Sequence, residues 1–194
     1  KCIVMENVAE MYNAFDGAFS TELRERLVEW GYSSAARVHD AADFGVPQRR
    51  RRVLFLAAKG QHDIEFPVGT HVDSENSTPL FRGRGPVTVW DAIGDLAPVL
   101  AEKAQPDAYR SEPTSEFQRV MRAAPSTLTE HTLRKLKATQ QARYDSIQPG
   151  QGLRELPDHL RPKSGYSGAY GRLTRDMVAP TITRWVFHPG SGRW

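Results

Sequence analysis

The run Phe44, Gly45, Val46, Pro47, Gln48, Arg49, Arg50, Arg51, Arg52 and the apolar stretch Val53–Ala58 constrain this chain more than any other part of it. The segment opens as a turn. Gly45 is free to take a positive φ, and Pro47 fixes its own φ while biasing Val46 toward an extended shape. It closes on an unbroken apolar run of strand length, the pattern expected of a strand buried on both faces. Between them stand four consecutive arginines, the last abutting the buried run. Arginines held at the rigid edge of a sheet present planar donor forks to a phosphate or a base. A basic patch or localisation signal on a solvated turn would show the same residues, and the segment alone leaves both readings open.

A second stretch narrows the choice. Ile3, Val4 and Met5 read as a buried strand that ends on Glu6, Asn7 and Val8. Glu-Asn-Val, then a helix, a strand, and Gly-Val-Pro-Gln-Arg-Arg-x-Arg about forty residues further on, resembles the second half of the catalytic domain of DNA cytosine-5 methyltransferases. Each motif is weak alone; in this order they are specific. Tyr170-Gly171-Arg172-Leu173-Thr174, Ala179-Pro180-Thr181-Ile182-Thr183 and His188-Pro189 are similar to that family's penultimate block. The resemblance thus spans nearly the whole chain and is weakest between about residues 60 and 160.

Charge and cysteine content are compatible with this. The formal charge is +3 and the pI near 9.1, mildly basic, which suits a polyanionic partner without demanding one. The single cysteine, Cys2, excludes an internal disulfide framework and fits a reducing compartment. It reads as a small buried hydrophobe. No stretch approaches the apolar length of a membrane span and no signal peptide is legible, so no membrane partner is expected. His39, His62, His71, His131, His159 and His188 lack metal-ligand spacing, and no metal is expected. The start at Lys1 reads as an internal strand, which suggests a piece of a longer protein.

Local patterns organise the rest. Ser20 is a plausible N-cap for a helix whose Phe19, Leu23, Leu27 and Trp30 make one apolar stripe. Glu22 and Arg26 pair on its polar face, and Gly31 ends it. Ser34–Val38 is a short strand. Residues 60–84 turn to Gly, Pro, Ser, Asn, Asp and Thr, a loop-rich linker. Val87 to Leu96 is an extended entry followed by a helical turn. Ser115 caps a helix with Gln118 at the capping-box position, Phe117, Val120 and Met121 inward, and Pro125 as its stop. A longer helix is expected from about Glu130 to Ile147, carrying Arg134, Lys135, Lys137 and Arg143 on a solvated or phosphate-facing side. Residues 149–152 and 162–171 are loops.

The resemblance implies an α/β fold: part of a Rossmann-like sheet of an S-adenosylmethionine-dependent methyltransferase, followed by a smaller, loop-rich target-recognition region. In that family the last strand inserts antiparallel between the two before it. The implied division is residues 1–59 as the second half of the catalytic domain, 60–165 as linker and target-recognition region, and 166–194 as a return segment.

The family's chemistry explains why these residue types are needed. C5 of cytosine is a poor nucleophile. The resemblance implies that a thiolate adds at C6, a carboxylic acid hydrogen-bonds N3, and an arginine holds O2. The enamine then takes the methyl group of S-adenosylmethionine, after the base has left the helix. Glu6 occupies the place of the N3-contacting glutamate, and Asn7 would order neighbouring backbone. Arg50 and Arg52 match the paired arginines that address the flipped base and its flanking phosphate, with Arg52 assigned to O2 and Gln48 preceding them. Arg49, Arg172, Thr181 and Thr183 are candidate DNA contacts. No Pro-Cys nucleophile loop and no Gly-rich cofactor loop occur in these residues. The cofactor is therefore expected to be bound mainly by segments outside this chain, which alone should be inactive.

The implied activity is methylation of C5 in double-stranded DNA, of restriction–modification type, in the cytoplasm and on the nucleoid of a bacterium. Three other readings stand beside it: the tRNA-methylating relative, whose Cys-Phe-Thr tripeptide is not found here; a non-catalytic nucleic-acid-binding module; and one chain of a split enzyme that takes its nucleophile from a second chain.

Overall fold

The computed structural model describes residues 1–71, 83–99, 106–123, 127–132, 135–163 and 168–183. The chain divides into two compact units, Lys1–Pro86 and Val87–Trp194.

The first unit runs β1 (Cys2–Val8), α1 (Glu10–Asn13), α2 (Ala18–Glu29), β2 (Tyr32–Asp40), a 3-10 turn (Ala41–Phe44), β3 (Gln48–Arg49) and β4 (Arg51–Lys59). The sheet order is β1-β4-β2. β4 is antiparallel to both neighbours, from Cys2 opposite Ala58 to Val8 opposite Arg52, and from Tyr32 opposite Lys59 to Asp40 opposite Arg51. β1 and β2 therefore run parallel, and α2 supplies the crossover that parallel strands require. The antiparallel insertion is the arrangement the family resemblance implied.

Side chains alternate across β4. Val53, Phe55 and Ala57 are at most 4% exposed, whereas Leu54, Leu56 and Ala58 are half-buried. The expectation of a strand buried on both faces is thus half right. α2 packs on β2, and β4 is closed on one face and only partly closed on the other. β1 departs further. Cys2, Ile3 and Val4 are exposed, and Cys2 is not the buried hydrophobe its composition suggested. Among the described residues β1 pairs only with β4, so its side chains gain neighbours from one direction.

The helix boundary also moved. Phe15, Asp16 and Gly17 take successive positive φ values of 53°, 54° and 82°. The turn they form makes Gly17 the N-cap. Ser20 is therefore inside α2 and buried, its hydroxyl donating to the carbonyls of Gly17 at 2.9 Å and Tyr12 at 3.0 Å. Leu27 is buried, but Trp30 remains 59% exposed and is no part of the stripe. The Glu22–Arg26 pair forms at 3.7 Å. Gly31 closes the helix at φ 73° with its N–H on Val28.

In the second unit, short helices are set by their caps. Thr88 and Asp91 form a capping box on α3 (Val89–Ile93), and Ser115 and Gln118 form one on α4 (Glu116–Met121). The inward residue of α4 is Gln118, 1% exposed; Val120 and Met121, expected inward, are 58% exposed. Gln118 is tolerated in the interior because every polar atom is engaged. Its Oε1 accepts the N–H groups of Thr114 and Ser115, and its amide nitrogen donates to the Trp90 carbonyl. α4 ends at Met121; Pro125 lies outside the described residues, as do Leu133, Arg134 and His188. The helix expected from Glu130 begins only at Ala138 and forms α5 (Ala138–Asp145). Glu130 sits at φ 55° and Lys137 is extended at φ −68°, ψ 151°, neither compatible with a continuous helix. Ile147, Leu156, Ala169 and Tyr170 form the core, flanked by Leu153 and Leu160. Among the described residues no helix is long and apolar enough to cross a membrane.

The asymmetry of β4 can be measured. Phe55→Ala should cost about 3–5 kcal/mol in urea unfolding, and Leu54→Ala clearly less. Equal losses would place both faces in the core.

Candidate functional site

Register places the charged residues on one face. Glu6 lies opposite Leu54, and Val8 opposite Arg52, across the β1–β4 ladder. Arg37 lies opposite Leu54, and His39 opposite Arg52, across β2–β4. Directly paired residues share a face and alternate residues return to it. Glu6, Arg52, Arg37 and His39 therefore share the half-covered face, opposite Val53 and Phe55. Glu6 and Arg52, forty-odd residues apart in sequence, meet at 2.7 Å between Oε1 and Nε. The carboxylate is 51% exposed and the guanidinium 23%. At such exposure the pair adds about 0.2–1 kcal/mol to stability, so its consequence is orientation. A further donor of Arg52, Nη1, is directed to the Arg51 carbonyl at 2.7 Å.

Beside this pair lies a groove of about 340 Å³ lined by His39, Ala41, Phe44, Arg50, Arg52, Leu54 and Pro67. Two arginine side chains thus border a wall whose exposed atoms are almost all apolar. The other two arginines are placed differently. Arg51 is exposed, and Arg49 Nη1 approaches Asp40 Oδ2 at 3.6 Å. Gln48 is half-buried in β3, its N–H on the Val46 carbonyl at 2.7 Å. Asn7 points to the opposite face, where its side-chain oxygen accepts the Val8 N–H at 2.8 Å.

The turn ahead of the arginines is held by close approach. Gly45 takes φ 81°, and a Cβ there would come within 2.7 Å of His71 Cε1. A Cβ on Gly69 would come within 2.8 Å of the Asp43 carbonyl oxygen, which accepts the N–H groups of Thr70 and His71. The chain after β4 therefore folds back onto the 3-10 turn, and only glycine fits at both crossings.

Sequence reasoning passed over Asp40. Its side chain is 13% exposed. Oδ1 accepts the Ala42 N–H at 3.2 Å and the Arg50 N–H at 2.8 Å. An aspartate ahead of Ala41–Phe44 is an N-cap signal, and that signal was legible.

His39 packs against Phe44 and Phe66, each ring centroid 5.4 Å away. Its Nε2 is buried without a partner. Burial, and then Arg37, lower its pKa from the ordinary value, with Asp43 opposing.

The remaining candidates lie in the second unit. Arg172 is turned inward: Nη1 donates to the Ile147 carbonyl at 2.8 Å, and the guanidinium covers the Tyr144 ring at 4.6 Å. Arg143, expected on a surface, likewise donates to the Leu160 carbonyl and the Tyr170 hydroxyl. Thr181 and Thr183 are exposed. Among the described residues no three His, Cys, Asp or Glu side chains cluster as metal ligands would.

His39 yields a pH prediction. Its folded pKa lies below the unfolded value near 6.5, so the stability of the neutral ring is complete above that value. It is lost as pH falls through the depressed one. His39→Phe should flatten the decline in melting temperature below pH 6.5 that its ring contributes. An unchanged slope, or an imidazole that titrates at or above its ordinary value by NMR, would remove this account.

Comparison with known proteins places the chain. The family model of the C-5 cytosine-specific DNA methylases matches residues 1–177. The type II methyltransferase M.AgeI of Thalassovita gelatinovora is 33% identical over 175 residues, covering 82% of this chain and 41% of the relative. DNA (cytosine-5)-methyltransferase 2 of Arabidopsis thaliana is 29% identical over 213 residues, covering 89% of this chain and 14% of the plant protein. A solved structure described as a prophage-encoded DNA modification methyltransferase of E. coli matches at a TM-score of 0.54. That likeness covers 93% of this chain and 52% of the other, at 17% identity, and concerns the fold. The chain spans less than half the length of the bacterial relatives it matches, 41% in one case and 42% in another. With a family model running over both units and through Glu6, Arg50 and Arg52, the chain belongs to the C-5 cytosine-specific DNA methylases.

Proposed function

We propose that this chain supplies the base-activating part of a DNA cytosine-5 methyltransferase of restriction–modification type. In this reading β1, β4 and β2 are the closing strands of a Rossmann-like methyltransferase sheet. Residues 60–165 act as the linker and target-recognition region and 166–194 as the return segment, on double-stranded DNA. The observation that carries the reading is the 2.7 Å contact of Glu6 and Arg52 beside the groove bordered by Arg50.

A cytosine ring set against this pair would meet complementary groups. In the carboxylic-acid form that the family's mechanism implies, Glu6 donates to N3, and Arg52 donates to O2. When a nucleophile adds at C6, electron density moves toward N3 and O2, where these two groups already stand. Donors fixed in advance at a developing negative charge need no reorganisation and give a large catalytic effect. Arg50 holds the extruded nucleotide through its flanking phosphate, and the aromatic and aliphatic wall suits the face of the base. Cys2 is not placed to be the nucleophile. It lies four residues from Glu6 along β1, about 13 Å at the rise of a strand.

S-adenosylmethionine is the family's methyl donor, and this groove does not suit it. Its lining residues include no carboxylate to meet a sulfonium cation. The groove suits the face of a planar ring.

Single-turnover methylation of unmethylated plasmid DNA by the full-length enzyme tests the assignment. Glu6→Gln should keep DNA binding and slow methyl transfer by roughly two to four decades. Arg52→Ala should slow the chemical step by about 10²–10³-fold. Arg50→Ala should alter affinity and rate together, and Arg51→Ala should change least. Equal effects of Arg49→Ala, Arg50→Ala, Arg51→Ala and Arg52→Ala that vanish at high salt would mark a basic patch and overturn the reading.

A further inference from the structure

We propose that Asp40 is a positioning residue whose carboxylate selects which arginines of the run enter the groove. The proposal rests on the reading of Arg50 and Arg52 given above. The β2–β4 ladder pairs Asp40 with Arg51, so the chain between them, residues 41–50, must leave the sheet and return in register. Loop closure of this length is only weakly selective, and many closed conformations compete. Asp40 removes the choice. Its Oδ1 takes the Ala42 N–H, at the start of the excursion, and the Arg50 N–H, at its end. The Ala41 N–H also meets the Arg50 carbonyl at 3.1 Å. Both sides of the Arg50 residue are thereby held within hydrogen-bond geometry of β2.

The consequence follows from alternation. Once the Arg50 peptide is held at the end of the ladder, Arg50 and Arg52 project into the groove they line. A bulge at residues 49–52, ahead of the buried residues that pin the strand from Val53 onward, would exchange them for Arg49 and Arg51. The second oxygen of Asp40 acts on the same choice, since it faces Arg49 Nη1 at 3.6 Å. One carboxylate, nearly buried, thus reads two peptide N–H groups and one guanidinium. Its length matters. An asparagine keeps an oxygen for both N–H groups, whereas a glutamate moves the oxygens outward by one methylene and an alanine has none.

The test uses the full-length enzyme and single-turnover methylation of unmethylated plasmid DNA, with affinity for the same DNA measured alongside. Asp40→Asn should stay within about threefold of the parent rate. Asp40→Ala and Asp40→Glu should be slower by roughly tenfold to a hundredfold, the penalty of a misplaced catalytic group, at nearly unchanged DNA affinity. In an Arg52→Ala background the Glu and Ala substitutions should slow the reaction far less, because Asp40 acts through that arginine. Equal losses in both backgrounds would mean a general structural role and overturn the proposal. If Asp40→Ala does not fold, the Glu and Asn variants decide, and equal rates for those two also overturn it. Parent-like Glu and Ala variants beside a slowed Arg52→Ala enzyme would remove the role of Asp40 alone. An Arg52→Ala enzyme of parent rate would remove the arginine reading and this proposal with it.

Discussion

A strand hydrogen-bonded along both edges has no freedom of register, and β4 is such a strand. It is tied to β1 from Cys2 to Val8 and to β2 from Tyr32 to Asp40. A slip by one residue would carry Val53, Phe55 and Ala57 out of the core and put Arg52 into it. The cost of that exchange fixes the strand, and the strand fixes the site. Glu6 meets Arg52 because two antiparallel ladders, each pinned by apolar burial one residue away, bring their polar positions to the same face. The contact itself contributes little stability. The hydrophobic face holds it in place.

The arginines of this chain show how far one residue type can diverge in role. Arg52 is oriented by Glu6, and Arg50 lines the groove. Arg143 and Arg172 spend their donors on backbone carbonyls and tyrosines inside the second unit. Arg122 donates to the Ser111 carbonyl as well. It pairs with Asp95 at 2.9 Å, and its guanidinium stacks 3.7 Å above the Tyr109 ring. A planar, weakly hydrated cation can be brought inside where a carbonyl or an aromatic face meets it. A count of basic residues along a helix therefore says little about which of them face a phosphate.

Caps and turns were legible where the signal is local. Ser115 with Gln118 closes its capping box as the spacing indicates, and Gly31 ends α2 at positive φ. The same local logic failed at Ser20, because the left-handed turn of Phe15, Asp16 and Gly17 started the helix earlier than any capping side chain. It failed again at Glu130 and Lys137, whose backbone breaks the continuous helix that apolar spacing suggested. Inward and outward were also exchanged on α4. A glutamine with all its partners satisfied went inside, and Val120 and Met121 stayed out.

The amino-acid sequence by itself determined the strand at Val53–Ala58, the glycine turn before it and the order of the Glu-Asn-Val and arginine motifs. These depend on neighbours a few residues away and on side-chain chemistry that is the same in any context. Tertiary structure alone decided three things: that β4 is closed on one face only, that Glu6 reaches Arg52, and that Asp40 gathers Ala42, Arg49 and Arg50. Each requires residues distant in sequence to share one ladder or one loop closure. Pairing register is set by the burial of the whole sheet, which no single segment encodes.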